Sequence, residues 1–473
     1  MEIATLIIIL VVALALFFDF TNGFHDTANA MATPIATGAL KPKTAVGLAA
    51  ALNLVGAFLS TEVAKTISGG IIREDQIAGD LFPPLIFAGL IGAITWNMLT
   101  WLLGLPSSSS HALFGGLIGA TLVGFGAAGI DFGVVVSKVV LPALLAPLTA
   151  GIIAFVLTRI AYSVTRRYDG RPDGRDGFRW GQIFTSSLVA LAHGTNDAQK
   201  TMGVITLALI SVGWQSAAHH EPQLWVIVSA AAAIALGTYV GGWRIIRTMG
   251  RGLTEVKPAQ GFSAETSTAA TILASSHLGF ALSTTQVASG SVIGSGLGRR
   301  GSSVRWKTAG RIFVGWVLAL PAAGVVGALA ALLVVWLGIG GVAIDAVLAI
   351  VIILVLFLRS RKDNVHAGNA MNDVAQSDLA VSTTSTPPPT RRQRREAARD
   401  AARRAELEEV RRAAQLAAQQ AVREELARAA DKAAKAAADK AAEAAAAKAA
   451  RVAAEEAARI AAQRTPKKKG SGR

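Results

Sequence analysis

Long apolar runs constrain this chain more than any other feature of its sequence. Several windows approach or exceed the roughly 20 residues that an α-helix needs to cross the hydrocarbon core of a bilayer. These windows are 5–18, 44–60, 84–105, 139–157, 224–240, 312–337 and 342–358. A soluble globular domain does not contain so many uninterrupted apolar runs. We therefore predict an all-α polytopic protein that lies in the lipid bilayer of the cell membrane.

The first apolar window is predicted to be a retained helix and not a secretory signal peptide. Glu2 stands where a signal peptide carries its positive residues, and no Lys or Arg precedes Lys41. The 473 residues include no cysteine, which excludes disulfides, thiolate metal ligands and cysteine nucleophiles.

The formal net charge of +15 does not by itself indicate a nucleic-acid partner. From residue 359 to the C-terminus there are 25 Lys and Arg residues against 15 Asp and Glu residues. The tail therefore carries +10 and the apolar part only +5. Because the excess belongs to one polar tail, no nucleic acid is expected as a partner.

Two short motifs place a carboxylate among amides and glycine inside the apolar sequence. Asp26 lies in the motif 22–30, and Asp197 lies in the motif 194–200. A charged side chain at the bilayer centre costs about 2.5–3.5 kcal/mol on insertion scales, so such residues generally serve an ion or substrate path. Carboxylate and amide oxygens suit a hard cation such as Na⁺ at Asp26 and Asp197, whereas His25 can titrate near neutral pH. The candidate coupling residues are Asp26, Asp197, Asn22, His25, Asn29 and Asn196.

A cluster of hydroxyl residues follows each carboxylate motif. Both clusters stand where an apolar helix is predicted to stop and a helix of small residues to begin. Hydroxyls and free backbone N–H groups at a helix N-terminus can cradle an anion, although Ser and Thr also serve simply as helix caps. Two such ends that face one another would surround a tetrahedral oxyanion. The candidate anion-binding residues are Ser108, Ser109, Ser110, Ser283, Thr284 and Thr285.

Four neighbouring residues are expected to support these sites. Lys200, one helical turn beyond Asp197, can neutralise that carboxylate or contact the anion, and the sequence leaves both roles open. Gln199 stands beside it. His111 and Gln286 occupy equivalent positions after the two hydroxyl clusters, where we expect each to hydrogen-bond to the neighbouring hydroxyls.

The order of motifs recurs in the two halves of the chain. Asp26 precedes Ser108 by 82 positions, and Asp197 precedes Ser283 by 86. Lys41 and Lys43 follow the first carboxylate motif, whereas the equivalent loop 211–223 has no Lys or Arg and the basic residues come in the next loop, 244–257. Since cytoplasmic loops collect Lys and Arg, equivalent loops face opposite sides of the membrane.

This charge pattern predicts an inverted-topology repeat. The polar motifs predict broken helices within it, including an interrupted segment around Asp197. The charge pattern places the N-terminus outside and the C-terminal tail in the cytoplasm. The predicted parts are a first transmembrane repeat (1–128), a connecting helix and basic cytoplasmic loop (129–178), a second, inverted repeat (179–300), C-terminal transmembrane helices (301–360), a polar linker (361–392) and an Ala/Glu/Arg/Lys-rich tail (393–473). Alanine favours helix, so this tail is predicted to be a solvated helix or a disordered segment whose basic ends can adhere to anionic lipids.

The motifs resemble those of the PiT-type inorganic phosphate transporters. The stretch 23–30 is similar to the family signature Gly-x-Asn-Asp-x-Ala-Asn-Ala, and 194–197 is similar to its first four positions. The stretches 106–111 and 282–285 resemble the second paired motif, and the resemblance covers residues 1–360. It implies symport of phosphate, in bacterial members often as a metal–phosphate complex with a divalent cation, driven by H⁺ or Na⁺. It also implies a homodimer in which re-entrant half-helices of the two repeats hold phosphate at mid-membrane. No cofactor and no enzymatic activity are expected.

The departures from the family pattern bear on the coupling ion. His25 stands where the pattern has Asn, which favours proton coupling, and Gln199 and Lys200 replace its Ala-Asn pair in the second motif. Two other functions stay open at this point: a symporter of another tetrahedral oxyanion such as sulfate, and a membrane receptor or tether that uses the basic tail. A membrane-embedded hydrolase with Asp26 and His25 as its acid/base pair is disfavoured, because no nucleophile or metal triad accompanies them.

Overall fold

Backbone polar groups find no water in a bilayer, so a spanning chain must satisfy them within helices or closed barrels. The computed structural model describes residues 3–73, 81–165, 175–361, 365–370, 435 and 442–460, and within these its regular elements are helices. The chain divides into two units, Met1–Ala380 and Val381–Arg473. In the second unit, residues 442–460 form an exposed helix, whereas most of the predicted linker and tail lies outside the described residues.

The helices follow the predicted apolar windows and motifs. The first half contains α1 (Ile3–Ala36), α2 (Pro42–Gly56), α3 (Glu62–Gly70), α4 (Phe82–Leu102), α5 (Ser109–Phe125), α6 (Phe132–Val134) and α7 (Leu141–Thr165), with a π-helical segment, Val135–Val140, between the last two. The second half contains α8 (Arg175–Ser211), α9 (Leu224–Val240), α10 (Trp243–Arg247), α11 (Pro258–His277), α12 (Thr284–Gly298), α13 (Trp306–Leu337) and α14 (Ile339–Ser360).

Five helical segments in the described ranges are long and apolar enough to cross a membrane. They are α1, α4, Phe132–Thr165, α13 and α14, and α9 adds a sixth if it is joined to Trp243–Gly252 across a bend of 60°. The apolar window 44–60 is not among them, because α2 has only 15 residues. The predicted polytopic helical membrane protein is confirmed.

The carboxylate motifs do not interrupt their helices, so the predicted break around Asp197 is wrong. α8 runs unbroken for 37 residues through Asp197, and α1 runs for 34 residues through Asp26. The breaks lie at the hydroxyl clusters, between α4 and α5 and between α11 and α12. Gly104 and Gly279 follow the ends of α4 and α11 with φ of 62° and 67°, the left-handed conformation that ends a helix.

Glycines bring helices of the two halves into close contact. A Cβ atom on Gly23 of α1 would lie 2.3 Å from the carbonyl oxygen of Ile234 on α9, and one on Gly194 of α8 would lie 2.2 Å from that of Asn53 on α2. Small residues at such crossings let helix backbones approach closely within a membrane. Each carboxylate-bearing helix therefore packs against a helix of the other half.

The helices that follow the hydroxyl clusters also pack against helices of the other half. α5 packs against α13, where a Cβ on Gly119 would lie 2.0 Å from the carbonyl oxygen of Gly324. α12 packs against α7, where a Cβ on Gly294 would lie 2.0 Å from that of Gly151. The matching pairs are consistent with the predicted repeat, whose inverted orientation and boundaries remain predictions.

Candidate functional site

The two predicted carboxylates share one buried site. Asp26 on α1 and Asp197 on α8 are 1% and 0% exposed. Thr284, the first residue of α12, lies between them, with its Oγ1 3.1 Å from Asp26 Oδ2 and 3.3 Å from Asp197 Oδ2. Helices from both halves of the chain thus meet at a single hydroxyl group.

The starts of α5 and α12 converge on Asp26. The Ser109 hydroxyl donates to Asp26 Oδ2 over 3.4 Å, and the Thr285 hydroxyl donates to Asp26 Oδ1 over 3.1 Å. The Ser110 hydroxyl donates to the Leu282 carbonyl oxygen over 3.0 Å and so joins the two helix starts. Four of the six predicted anion-binding residues therefore lie at the junction, and three of them, including Thr284, contact the carboxylates.

The other two predicted anion-binding residues are helix caps. Ser108 Oγ accepts a hydrogen bond from the backbone N–H of His111 over 3.1 Å, and Ser283 Oγ accepts one from that of Gln286 over 3.4 Å. The side chains of His111 and Gln286 were expected to bond to these hydroxyls. Instead, His111 Nδ1 lies 3.4 Å from Gln286 Nε2, because the cap bonds turn both hydroxyls toward the backbone.

Two predicted asparagines complete the polar network. Asn22 Nδ2 donates to Asp197 Oδ2 over 3.1 Å, and Asn29 Nδ2 donates to Thr285 Oγ1 over 3.0 Å and lies 3.3 Å from Thr284 Oγ1. The Oδ1 atoms of both asparagines are buried and have no hydrogen-bond partner in the described part of the chain. These two oxygens are free to bind a cation.

Basic side chains flank both carboxylates. His25 Nδ1 lies 2.7 Å from Asp26 Oδ1, and its Nε2 lies 3.3 Å from Thr100 Oγ1. Lys200 Nζ donates to Asp197 Oδ1 over 2.7 Å, so Lys200 neutralises that carboxylate. Of the two roles that the sequence left open for Lys200, this structure shows the ion pair.

His193 belongs to the site, although the sequence analysis did not select it. Its Nε2 lies 3.1 Å from Asp197 Oδ2 and 3.9 Å from Asp26 Oδ2, without the alignment of a hydrogen bond. His193, Asp26 and Asp197 each offer a ligand atom within 4.8 Å of the others, a set that could hold a metal ion. Its position four residues before Asp197, on the same face of a helix, was the signal that could have identified it.

Two predicted residues make no contact with the carboxylates in the described part of the chain. Gln199 Oε1 accepts from the backbone N–H groups of Val63 and Ala64 over 2.7 and 3.2 Å, so Gln199 anchors the start of α3. Asn196 is buried, and its amide has no hydrogen-bond partner in the described ranges.

Three further buried acids were also missed. Asp19 lies on α1, Glu265 on α11 and Asp345 on α14, and all are at most 3% exposed. Each stands alone in an apolar or small-residue stretch, which is the signal that could have identified them.

Comparison with known proteins agrees with the family resemblance. The sequence profile of the phosphate transporter family matches residues 22–173 and 162–327. A probable low-affinity inorganic phosphate transporter of Mycobacterium bovis is 54% identical over 374 residues, which are 79% of this chain and 88% of the relative. One of Bacillus subtilis is 42% identical over 333 residues, 70% of this chain and 98% of the relative.

The fold is also similar to a solved structure described as the sodium-dependent phosphate transporter. The similarity has a TM-score of 0.63 at 23% sequence identity, and it covers 70% of this chain and 99% of that one. The fold, the paired motifs and the relatives lead to one conclusion: this multi-pass membrane protein belongs to the phosphate transporter family.

Proposed function

We propose that the protein imports inorganic phosphate by symport with protons, through alternating access to the buried site. One observation carries the proposal: hydroxyl groups suited to bind an anion donate instead to Asp26 and Asp197. Thr284 lies within 3.3 Å of both carboxylates, and Ser109 and Thr285 donate to Asp26.

This arrangement makes phosphate binding depend on a coupling cation. A hydroxyl has one hydrogen, so a hydroxyl that donates to a carboxylate cannot donate to phosphate at the same time. An ionised Asp26 also repels an anion, whereas Lys200 already balances the charge of Asp197. A proton or cation that neutralises Asp26 weakens the repulsion and releases hydroxyl donors, which couples phosphate binding to that cation.

The basic neighbours favour the proton as the coupling ion. Lys200 already occupies one oxygen of Asp197, and His25 lies against one oxygen of Asp26, which leaves less room for a bound Na⁺. Histidine also exchanges protons near neutral pH. The free Oδ1 atoms of Asn22 and Asn29 are the feature that favours Na⁺ instead.

A divalent metal can travel with phosphate as part of the substrate. The ligand atoms of Asp26, His193 and Asp197 lie within 4.8 Å of one another, and carboxylate and imidazole groups bind divalent cations. A metal ion there would also bridge the carboxylates to a phosphate oxygen, which removes the repulsion between them.

The test is uptake of radioactive phosphate into proteoliposomes, with a proton gradient or a sodium gradient imposed separately and with or without Mg²⁺. We expect accumulation with the proton gradient alone. A strict requirement for sodium would overturn proton coupling, and absence of uptake under every condition would overturn phosphate symport.

Sulfate is the competing tetrahedral anion, because hydroxyl and N–H donors alone do not distinguish it from phosphate. Membership of the phosphate transporter family favours phosphate. Arsenate should therefore compete with phosphate for uptake and sulfate should not. Equal competition by both would indicate a general oxyanion carrier.

A further inference from the structure

Two buried acids of α1, and a threonine that binds a third acid on α11, lie at intervals of two turns along α1. Asp19 stands seven residues before Asp26, and Thr33 stands seven residues after it. The Thr33 hydroxyl donates to Glu265 Oε1 over 2.5 Å. Seven residues are almost two turns of an α-helix, so the three positions share one face, about 10 Å apart. The carboxyl groups of Asp19 and Glu265 therefore flank the central site on opposite sides.

Asp19 has no group that stabilises its ionised form by direct contact. It is 0% exposed, and neither carboxylate oxygen has a hydrogen-bond partner in the described ranges. The charged groups that act on it are Lys200 and Asp197 of α8, and the Thr201 hydroxyl lies near it without hydrogen-bond alignment. Lys200 is bound to Asp197, so an ionised Asp19 would be buried without a partner of opposite charge, which disfavours the ionised form.

Glu265 has a different environment, which suits exchange of a proton. It accepts hydrogen bonds from Thr33, from Gln182 over 3.0 Å and from Thr185 over 2.8 Å. The Thr37 hydroxyl donates to Gln182 Oε1 over 2.7 Å and so turns the amide nitrogen of Gln182 toward Glu265. No charged group contacts Glu265 within the described part of α1, α8 or the other helices around it. Hydroxyls can donate or accept, so the two threonines can serve both the ionised and the protonated acid.

A small cavity lies between Glu265 and Asn29. Its volume is about 10 Å³, and its polar lining consists of Asn29, Thr33, Glu265 and Thr268. This is room for little more than one water molecule, and the polar lining provides the partners that a buried water needs. Asn29 bonds to Thr285, which donates to Asp26, so the polar contacts continue to the centre.

We propose that Asp19 and Glu265 are proton-binding sites that flank the central site and serve the proton coupling of transport. This inference rests on the proton coupling proposed above. Each acid is neutral when it holds the proton, through one O–H bond, and is ionised when that bond breaks and the proton leaves.

The test separates proton-driven accumulation of phosphate from phosphate exchange at equal pH. Asp19→Asn and Glu265→Gln replace each acid with a mimic of its protonated form. We expect each variant to lose proton-driven accumulation by about tenfold or more. Exchange of external for internal phosphate moves no net proton, so it should persist. Asp345→Asn is the matched control, because Asp345 on α14 is also a buried acid whose Oδ2 has no hydrogen-bond partner in the described ranges. In this variant both proton-driven accumulation and phosphate exchange should persist.

Wild-type accumulation in Asp19→Asn or Glu265→Gln would overturn the role of that acid. Parallel loss of accumulation and exchange, without recovery of accumulation in Asp19→Glu or Glu265→Asp, would indicate a structural role and also overturn the proposal.

A second measurement does not depend on phosphate transport. Infrared difference spectra of the purified protein in nanodiscs, recorded as the pH is stepped, should show protonated-carboxyl absorption that is lost in part in Asp19→Asn and in Glu265→Gln. Spectra identical to wild type would refute proton binding at these acids. If wild-type protein transports no phosphate, the proposed function fails, and the infrared titration still decides whether Asp19 and Glu265 bind protons.

Discussion

The hydroxyl hydrogen of Thr284 is the smallest feature on which the proposed coupling depends. It can point to Asp26, to Asp197 or to a bound anion, and the two carboxylates lie 3.1 and 3.3 Å from the same oxygen. Hydrogen bonds to charged groups contribute about 1.5–3 kcal/mol, so the charge of the two acids controls where this donor points. The two acids and the hydroxyl groups that we propose to bind phosphate are therefore in direct contact.

Asp26→Asn should abolish proton-driven phosphate accumulation and leave the protein folded. The amide keeps the shape of the side chain, but it cannot bind and release a proton. Asp197→Asn should have the same effect, and it should also leave Lys200 without its carboxylate partner. Uptake in proteoliposomes and thermal unfolding in detergent are the measurements, with Asp345→Asn as the control. Uptake at the wild-type rate in either variant would rule out the coupling role of that acid.

Two serines of the first hydroxyl cluster have different contacts: Ser109 contacts a carboxylate, and Ser108 caps a helix. Ser109→Ala removes a donor that contacts Asp26, and phosphate affinity should fall by about tenfold or more, as expected for a lost bond to a charged group. Ser108→Ala removes a helix cap, so it should lower stability by about 1 kcal/mol.

Competition binding of phosphate and thermal unfolding distinguish these two effects. Thr149→Val is the control, because Thr149 is exposed on α7 and its hydroxyl bonds to its own helix. Unchanged phosphate affinity in Ser109→Ala would leave this serine without a binding role.

At the scale of the helices, close crossings between them position the site. Asp26 and Asp197 lie on unbroken helices, and each helix is held by a glycine against a helix of the other half. The hydroxyl clusters, in contrast, lie where helices begin, because only a helix start leaves backbone N–H groups free for caps and ligands. The site combines rigid carboxylate positions with polar helix starts.

Gly237→Ala should destabilise the crossing of α1 and α9. Its Cβ would lie 2.0 Å from the carbonyl oxygen of Phe20, so the helices must separate at a cost of about 1–3 kcal/mol. Gly47→Ala on α2 is the matched control: nothing lies within 4 Å of its Cβ, and alanine favours helix by about 1 kcal/mol. Thermal unfolding in detergent should show a lower midpoint for the first variant only. Equal midpoints would contradict the close crossing.

At the scale of the whole molecule, the apolar part and the tail are separate units. The unit Met1–Ala380 contains every residue of the candidate site, and the unit Val381–Arg473 carries the Ala-rich tail. Transport should therefore depend on the first unit alone.

A chain that ends at Ala380 should transport phosphate at the rate of the full-length protein. The measurement is uptake in proteoliposomes at matched protein content, with Asp26→Asn in the truncated chain as a negative control. Loss of uptake on truncation would show that the tail takes part in transport.

The orientation of the chain can be tested without background labelling, because the sequence contains no cysteine. Lys43 and Ser216 are exposed, and the positive-inside rule places them on opposite sides. A membrane-impermeant maleimide added to intact cells should label Ser216→Cys and not Lys43→Cys. Permeabilised cells, in which both should react, are the control. The reverse labelling pattern would place the N-terminus inside.

The amino-acid sequence alone determined the features that depend on nearby residues. The lengths of the apolar runs predict membrane helices, and the hydroxyl clusters predict the starts of α5 and α12. The buried carboxylates at Asp26 and Asp197 were identifiable because bilayers disfavour charge. Each of these inferences rests on local chemistry.

Only the tertiary structure decided which of these groups meet. Thr284 contacts Asp26 across 258 positions of sequence, and Ser110 reaches Leu282 across 172. The approach of His193 to Asp26 likewise depends on how two helices cross. The unbroken course of α8 through Asp197 was also visible only in the structure, because the polar motif alone had predicted a break. A side chain's neighbours on other helices follow from the packing of whole helices, and no local pattern records that packing.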